Sequence, residues 1–411
     1  MAISLPKALR TLLVSNIAQC LAETTVENGS FLSLPTQMWR LHELVRAGSQ
    51  TAQELERYLG DQHVSTFVTK ELWKIAPHNW EPDAPPEPFE AKFGKAAPLE
   101  WAEDLVTRLQ SLPWRYAAYT PFPGDLTAGL LEGAPVPLTN SMRLVTGELL
   151  ESITPIKKQP GLRNLLKEGT GFEWQPHQVY IETEFEGYIP VGGDSESAHH
   201  LMHLTLSLYG IALALGLLIE DRWRTRTHRP PFYAHYVFSS ENQTKSHVSN
   251  VGFDPSHVKT FEELGNFTTL SIAPAPRTSF QQKAAEIGKV MSMSRPRLLN
   301  AARWYLDSHS GLSDQVRFVQ ICTALEVLLG DEKQGRETGL TSLMANRCAY
   351  LLGKNEQDRQ NIIAGFKDGY DIRSKIVHAG KNKLSGADKA HFFYMQRLCA
   401  AIIRKECSEI L

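Results

Sequence analysis

The sequence predicts a multidomain α+β protein: an all-α helical bundle at the C-terminus, preceded by a mixed α/β domain and an N-terminal helical region. A chain of 411 residues is too long for one ordinary core and suits roughly two or three domains. Helical periodicity is continuous after residue 280, whereas strand-like alternation is confined to the middle of the chain. The predicted regions are 1–76, 77–94, 95–275 and 280–411.

The composition and net charge limit the classes of function that this chain can have. A hydrophobic content of 42% and a charged content of 21% describe a soluble globular chain with no disordered or fibrous bias. A formal net charge of −2 gives no overall field that draws nucleic acid, so any RNA contact must come from a local patch. Five scattered cysteines without a CxxC pair, and no signal peptide, predict free core thiols in a reducing cytoplasm.

Two short helices separated by Gly60 are predicted within residues 51–75. Thr51 and Glu54 have the spacing of a helix capping box, and apolar residues repeat at helical spacing after Gly60. The pair has the form of a helix-turn-helix that reads nucleic acid, and a plain helical hairpin is the alternative. The side chains that such a second helix would present outward are His63, Ser65, Thr66 and Lys70.

The proline-rich segment 77–94 cannot continue a helix or a central strand and is predicted to be a linker. In the mixed domain 95–275, residues 177–186 alternate apolar side chains with glutamates, as in a half-buried strand. Residues 201–219 are the most hydrophobic, but their His, Thr and Ser side chains predict a buried core helix rather than a membrane span. Further strands are predicted at 232–238 and 268–272.

From residue 280 onward the pattern is wholly helical and predicts an all-α bundle of about 130 residues. Proline and glycine residues separate the helices and supply stops or caps. The predicted helices lie near 280–293, 297–309, 313–329, 339–352, 357–379 and 386–409.

Glu326 lies at the edge of the apolar face of the helix at 313–329. A carboxylate in such a position needs a partner, because an unpaired buried charge costs several kcal/mol. Arg347 and Arg373 are the candidate partners, and we expect a structural ion pair that orients neighbouring helices.

Arg373 and His378 lie in a short segment that ends at Gly380. His378 is expected in the last helical turn, where the helix dipole favours an imidazolium. Five residues apart on a regular helix, the two side chains point about 140° apart, so they converge on one phosphate only by folding around the helix or across a twofold interface. Histidine could move the proton and arginine could stabilise the phosphate during RNA cleavage by the 2′-hydroxyl, without a metal. The alternative is that this segment is an exposed helix end whose charged side chains form surface ion pairs.

Other polar clusters are weaker candidates. His199 and His203, at i and i+4, have the spacing of metal ligands but are more simply histidines at a helix start. Arg222, Arg224 and Arg226 surround a tryptophan, which suits phosphate contact and base stacking as well as a solvated loop. Lys375 and Lys381 are further candidate RNA contacts beside the Arg373 segment.

Four separated segments of the C-terminal third share an order and spacing: A-R-W-Y-L (302–306), T-A-L-E-V-L-L-G (323–330), N-R-C-A-Y-L-L-G (346–353) and Y-D-I-R-S-K-I-V-H-A-G (370–380). Together they resemble the Apea-like branch of the HEPN superfamily over about residues 280–411.

The resemblance implies a dimerising helical bundle with metal-independent endoribonuclease activity and an R-x4-6-H active site at Arg373 and His378. Family members frequently act in prokaryotic defence against phage or as toxins. Gly380 stands where one subfamily has a tyrosine that an antitoxin modifies, so that mode of control is not expected. The resemblance gives Ser374 a supporting role, and mainly structural roles to Tyr370, Asp371 and Glu326.

We therefore expect a cytoplasmic homodimer that cuts RNA, with no cofactor, metal or membrane attachment. Residues 1–275 would recognise a trigger ligand or protein and gate the bundle. Some HEPN domains serve only in dimerisation or RNA binding, so a non-catalytic regulatory protein that binds nucleic acid is the alternative.

Overall fold

The chain folds as a mixed α+β protein with a helical C-terminal region, as its computed structural model shows. It divides into two compact units. The first unit comprises Met1–Ala118, Glu184–Leu201 and His235–Val251, and the second comprises Tyr119–Thr183, Met202–Ala234 and Gly252–Leu411. The structure describes residues 2–75, 81, 83–124, 131, 134–153, 174–220, 232–240, 245–266, 276–293, 295–310, 313–331 and 339–411.

Helices account for most of the described residues, and a 3₁₀ helix spans Thr36–Leu44. The α helices are α1 (Lys7–Ala22), α2 (Gln50–Leu59), α3 (His63–Ile75), α4 (Phe89–Phe93), α5 (Ala97–Gln110), α6 (Gly147–Ile153), α7 (Glu196–Ala214), α8 (Pro255–Glu263), α9 (Pro276–Ser292), α10 (Pro296–Ser310), α11 (Asp314–Leu329), α12 (Leu340–Leu352), α13 (Glu356–His378) and α14 (Gly386–Ser408).

The described strands form three sheets, with the orders β2-β1-β3, β10-β9-β4-β7-β6-β5 and β11-β8. In the largest sheet, β6 pairs antiparallel with β7, and Leu144 lies opposite Ile181. The strands are β1 (Thr25–Glu27), β2 (Phe31–Ser33), β3 (Glu87–Pro88), β4 (Trp114–Pro121), β5 (Val136–Pro137), β6 (Met142–Thr146), β7 (Val179–Gly187), β8 (Leu218–Glu220), β9 (Ala234–Ser239), β10 (Ser246–Gly252) and β11 (Leu264–Asn266).

The strands predicted at 177–186 and 232–238 are confirmed as β7 and β9, while 268–272 lies outside the described residues. The expectation that β7 is half-buried is wrong for its first five residues, all of which are buried. Glu182 tolerates this burial because it accepts hydrogen bonds from Arg143 Nε, at 2.5 Å, and from the Tyr119 hydroxyl, at 3.1 Å. An alternating pattern cannot reveal such partners, since both lie on other strands.

The proline-rich segment 77–94 carries regular structure at its C-terminal end. Glu87–Pro88 forms β3, which pairs with β1, and α4 follows directly. Phe89 is fully buried and lies edge-to-face with Trp101, at a ring-centroid distance of 5.0 Å. This aromatic contact ties the end of the segment to α5.

The two helices predicted at 51–75 are confirmed as α2 and α3, but the predicted cap and exposed face are wrong. Ser49, not Thr51, caps α2 by accepting a hydrogen bond from the Ala52 amide. His63 and Ser65, expected to face outward, are buried. The Ser65 hydroxyl contacts the backbone and ring of His42, and burial lowers the pKa of His63 to about 4. Thr66 and Lys70 are half-buried, so the four side chains do not form the exposed surface that was predicted to contact nucleic acid.

The six helices predicted after residue 280 are confirmed as α9–α14. Their apolar faces share one core within the second unit, in which Phe318, Ile321, Met395 and Ile402 are fully buried. The five cysteines are free and buried, as predicted. This packing fixes the positions of the helices that carry the candidate active site.

The segment 201–219, predicted as a buried helix, is helical as far as Ala214, the end of α7, whereas Leu218 and Ile219 lie in β8. Leu206, Leu208, Tyr209, Ile211 and Ala212 of α7 belong to the core of the second unit. Across the described ranges, no helix has both the length and the apolar character needed to span a membrane.

Gly210 allows α7 and α10 to pack closely. A Cβ atom added at this position would lie 2.0 Å from the carbonyl oxygen of Ala302, which is backbone and cannot rotate away. We predict that Gly210→Ala lowers the free energy of unfolding of this unit by about 1–3 kcal/mol, the usual cost of overpacking a core. Urea denaturation followed by circular dichroism measures the change.

Gly386→Ala is the matched control, because a Cβ atom there meets nothing within 4 Å and the position begins α14. This substitution should leave stability unchanged or raise it slightly, since alanine favours a helix over glycine. Equal loss of stability in both variants would contradict the account of close packing at Gly210.

Candidate active site in the C-terminal helices

Helix α13 carries the predicted catalytic pair, Arg373 and His378, and it ends within one residue of the predicted position. Asn355 caps its start by accepting a hydrogen bond from the Asp358 amide at 2.9 Å. His378 lies in the last helical turn, as predicted, and is the last helical residue; Gly380 follows with a φ of 65°. Glycine adopts this left-handed conformation without steric cost, which lets the Lys381 amide donate to the Lys375 carbonyl at 3.1 Å and close the helix.

Glu326 forms the ion pair expected from its position at the edge of the apolar face, and its partner is Arg373. One Arg373 nitrogen, Nη2, lies 3.5 Å from Glu326 Oε1, and the Tyr370 hydroxyl donates a hydrogen bond to the same oxygen. The Arg373 guanidinium also lies 6.0 Å from the centre of the Tyr370 ring. The cluster Glu326–Tyr370–Arg373 thus joins α11 to α13, in the structural role expected for Glu326 and Tyr370.

Arg347, the other candidate partner, binds elsewhere. It donates a hydrogen bond to the Leu329 carbonyl at 2.7 Å and lies 3.7 Å from Asp331. A cation beside the last carbonyls of α11 interacts favourably with the helix dipole. Arg347 therefore stabilises the C-terminal end of α11.

The surroundings keep the cluster groups in defined protonation states. Burial, with the hydrogen bond to Glu326, raises the pKa of Tyr370 well above its usual value, so the hydroxyl remains a donor. Burial likewise raises the pKa of the neighbouring Cys322 thiol, which stays neutral. Among the described residues, Arg373 Nε has no hydrogen-bond partner and is itself buried, although the whole side chain is 26% exposed.

His378 and Ser374 both lie on the exposed surface of α13. None of the hydrogen bonds or ion pairs found among the described residues joins Arg373 to His378. Arg373 is directed toward α11, whereas the imidazole is exposed, in keeping with the angular separation predicted for a regular helix. One copy of the chain does not bring the two side chains together.

Lys375 and Lys381, the two lysines predicted to contact RNA, each form an ion pair with a carboxylate. Lys375 Nζ lies 2.6 Å from Asp371 on the exposed surface of α13. Lys381 Nζ lies 2.6 Å from Asp388, whose carboxylate also accepts from the backbone and hydroxyl of Ser385. Lys381 thus supports the capping box that begins α14, a role that its sequence position did not reveal.

The remaining candidates lie outside this cluster. Arg222, Arg224 and Arg226 lie outside the described residues. His199 is exposed and lies 3.2 Å from Asp194. In the portion of the chain that the structure describes, no three His, Cys, Asp or Glu side chains are grouped so that they could hold a metal ion.

Sequence reasoning missed a second group of polar residues in the same unit. Glu220, His309 and Gln396 meet beside a cavity, although they lie 89 and 87 positions apart along the chain. No local motif links them, because helix packing alone brings them together. By contrast, the S-x-x-D spacing of Ser385 and Asp388 is a capping signal that the sequence does contain.

Comparison with protein families, with characterised proteins and with solved structures finds no match for this chain.

Loss of the Glu326 carboxylate should destabilise the helices. We predict that Glu326→Ala lowers the free energy of unfolding by about 1–3 kcal/mol, because it leaves the Arg373 guanidinium and the Tyr370 hydroxyl without their shared acceptor. Asp371→Ala, which breaks an exposed ion pair on the same helix, should change stability little. Urea denaturation of both variants tests the difference, and equal effects would contradict the structural role of Glu326.

Acid should weaken the start of α14. The hydrogen bond from Lys381, with those from Ser385, lowers the pKa of Asp388 to about 2. A carboxyl group with a depressed folded-state pKa contributes stability that is complete above its unfolded pKa of about 3.9 and is lost as the pH falls toward 2. We therefore predict that the stability difference between wild type and Asp388→Asn shrinks between about pH 4 and pH 2, as measured by urea denaturation. A difference that stays constant over this interval would show that the carboxylate charge contributes nothing.

Proposed function

We propose that the C-terminal helices form the catalytic part of a metal-independent endoribonuclease, with Arg373 and His378 as its catalytic residues. One observation carries the proposal: α13 ends in an exposed imidazole, and about 7.5 Å back along its axis lies the guanidinium of Arg373, whose side chain is 26% exposed. Exposure leaves His378 free to contact a substrate, and Ser374 is exposed between the two residues. The resemblance to the Apea-like HEPN branch supports the same assignment.

The proposed reaction needs only these side chains and the RNA. His378 removes the proton from a ribose 2′-hydroxyl, which attacks the adjacent phosphorus and forms a 2′,3′-cyclic phosphate. The 5′-oxygen of the next nucleotide leaves and takes up a proton from an imidazolium. Arg373 binds the phosphate and stabilises the negative charge that develops on its oxygens.

A homodimer would complete this site. Because Arg373 is directed toward α11 and His378 is exposed, one helix does not present both groups to one phosphate. A twofold axis beside α13 would place the pair of one copy next to the pair of the other. We infer that the active enzyme is a homodimer whose two α13 helices share a cleft, and that residues 1–275 gate it in response to a trigger, as in a toxin or an anti-phage effector.

The Arg373–Glu326 ion pair favours a second candidate function. A guanidinium already paired with a carboxylate binds phosphate less strongly, because the phosphate must compete with Glu326. In this alternative the bundle dimerises or binds nucleic acid without cutting it. The two functions differ in whether the exposed His378 is needed for any reaction.

Cleavage of a labelled single-stranded RNA in EDTA separates the two functions. We predict that His378→Ala and Arg373→Ala lower the cleavage rate by about 100-fold or more, the range expected for loss of a general acid–base group or of phosphate stabilisation. His200→Ala is the matched control, because His200 is an exposed helical histidine in the other unit. It should cleave at the wild-type rate.

Size-exclusion chromatography and circular dichroism of each variant show whether the fold and the oligomeric state are intact. His378→Ala replaces an exposed side chain, so it should fold normally. Undiminished cleavage by this variant would refute the assignment. Absence of cleavage by wild type and variants alike would leave a gated enzyme or the non-catalytic function, and expression toxicity then separates them: only a gated enzyme makes wild type more toxic to cells than His378→Ala.

A further inference from the structure

The second unit contains a cavity of about 540 Å³. Its walls are the end of α7 with the turn after it, β8, α10 and one face of α14. Pockets that bind small organic ligands or cofactors usually have volumes of about 300–1,000 Å³, and this cavity lies within that range. Neither Arg373 nor His378 lines it, so the cavity is separate from the proposed nuclease site.

Two arginines give the cavity a positive charge. Arg397 and Arg404 are seven residues apart on α14 and therefore lie on one helical face. Arg404 Nη1 donates to the Ala214 carbonyl at 3.1 Å, and within the described part of the chain neither guanidinium lies within 4 Å of a carboxylate. The acidic lining residue, Glu220, is bonded to His309 Nδ1. This balance favours an anionic ligand, and guanidinium groups suit phosphate especially well.

The same face of α14 offers an aromatic surface. Phe393 lies one helical turn before Arg397 and is 46% exposed. Leu218 and Ala400 add apolar wall. A planar ring can stack on an exposed phenyl group, and such stacking accepts any base because each has a π face.

The cavity also presents polar groups that could read the edge of a ring. The buried Gln396 amide lies 3.3 Å from His309 Nε2, and the His309 ring lies edge-to-face with Tyr305, at a centroid distance of 5.0 Å. Gln396 also donates to the Ser308 hydroxyl at 3.0 Å, and Glu220 bonds His309 Nδ1, so both ring nitrogens of His309 and the amide nitrogen of Gln396 are engaged within the protein. These bonds fix a polar wall beside the aromatic surface of the cavity.

We propose that this cavity is a binding site for a nucleoside 5′-monophosphate or a ligand of equivalent chemistry, with its phosphate on Arg397 and Arg404 and its base against Phe393. The site draws its walls from β8 and the end of α7 as well as from the C-terminal helices. A bound ligand would therefore couple the middle of the chain to the bundle. The proposal does not depend on RNA cleavage.

Isothermal titration calorimetry of the full chain tests the site with AMP, GMP, CMP and UMP as probes, and with adenosine and inorganic phosphate as half-ligands. At least one mononucleotide should bind with one site per chain, and each half-ligand should bind about tenfold more weakly or worse, since it lacks either the charge-assisted bonds or the stacking.

Arg397→Ala and Phe393→Ala each replace an exposed side chain and should lower the affinity about tenfold or more. Arg359→Ala, which removes an exposed arginine of α13 outside the cavity, should bind like wild type. Absence of binding by all four mononucleotides up to millimolar concentration would overturn the proposal. Binding that Arg397→Ala and Phe393→Ala leave unchanged would overturn it as well.

Discussion

The contact of Glu326 with Arg373 and Tyr370 joins α13 to α11 at the edge of the apolar core that packs the C-terminal helices together. A glutamate at the edge of an apolar face must be paired, because an isolated buried charge costs several kcal/mol. The chain meets this constraint repeatedly by pairing one arginine and one tyrosine with a glutamate. Among the described residues these clusters include Glu71 with Arg108 and Tyr188, Glu182 with Arg143 and Tyr119, and Glu326 with Arg373 and Tyr370.

The clusters differ in the exposure of the glutamate. The side chains of Glu71 and Glu182 are 1% exposed, although their arginine partners, Arg108 and Arg143, are 26% and 42% exposed. Glu326 is 29% exposed and Arg373 is 26% exposed, so in this cluster both members of the ion pair reach solvent. The same contact that stabilises the helices also competes with phosphate for Arg373. In the proposed enzyme, dimerisation and substrate binding must supply enough new interactions to offset that competition.

Local patterns predicted the bundle well, because helix caps and apolar periodicity are encoded within a few residues. The end of α13 at His378, followed by the left-handed Gly380, is an example. Contacts between distant residues were not predictable in this way. His63 and Ser65 appeared exposed by their helical positions but are buried by the 3₁₀ helix that carries His42. The site was predictable as far as the Glu326–Arg373 pair, whereas the cavity beside His309 depends on packing between residues far apart in sequence.

In the proposed reaction, RNA itself supplies the nucleophile through its 2′-hydroxyl. The most direct test uses an RNA oligonucleotide with a single preferred cleavage position and its twin with 2′-deoxyribose at the nucleotide whose hydroxyl would attack. Mass spectrometry then identifies the products formed in EDTA. The account predicts a 2′,3′-cyclic phosphate from the first oligonucleotide and no cleavage at that position in the second. Cleavage of both at the same position, leaving 5′-phosphate ends, would show that water is the nucleophile and would contradict it.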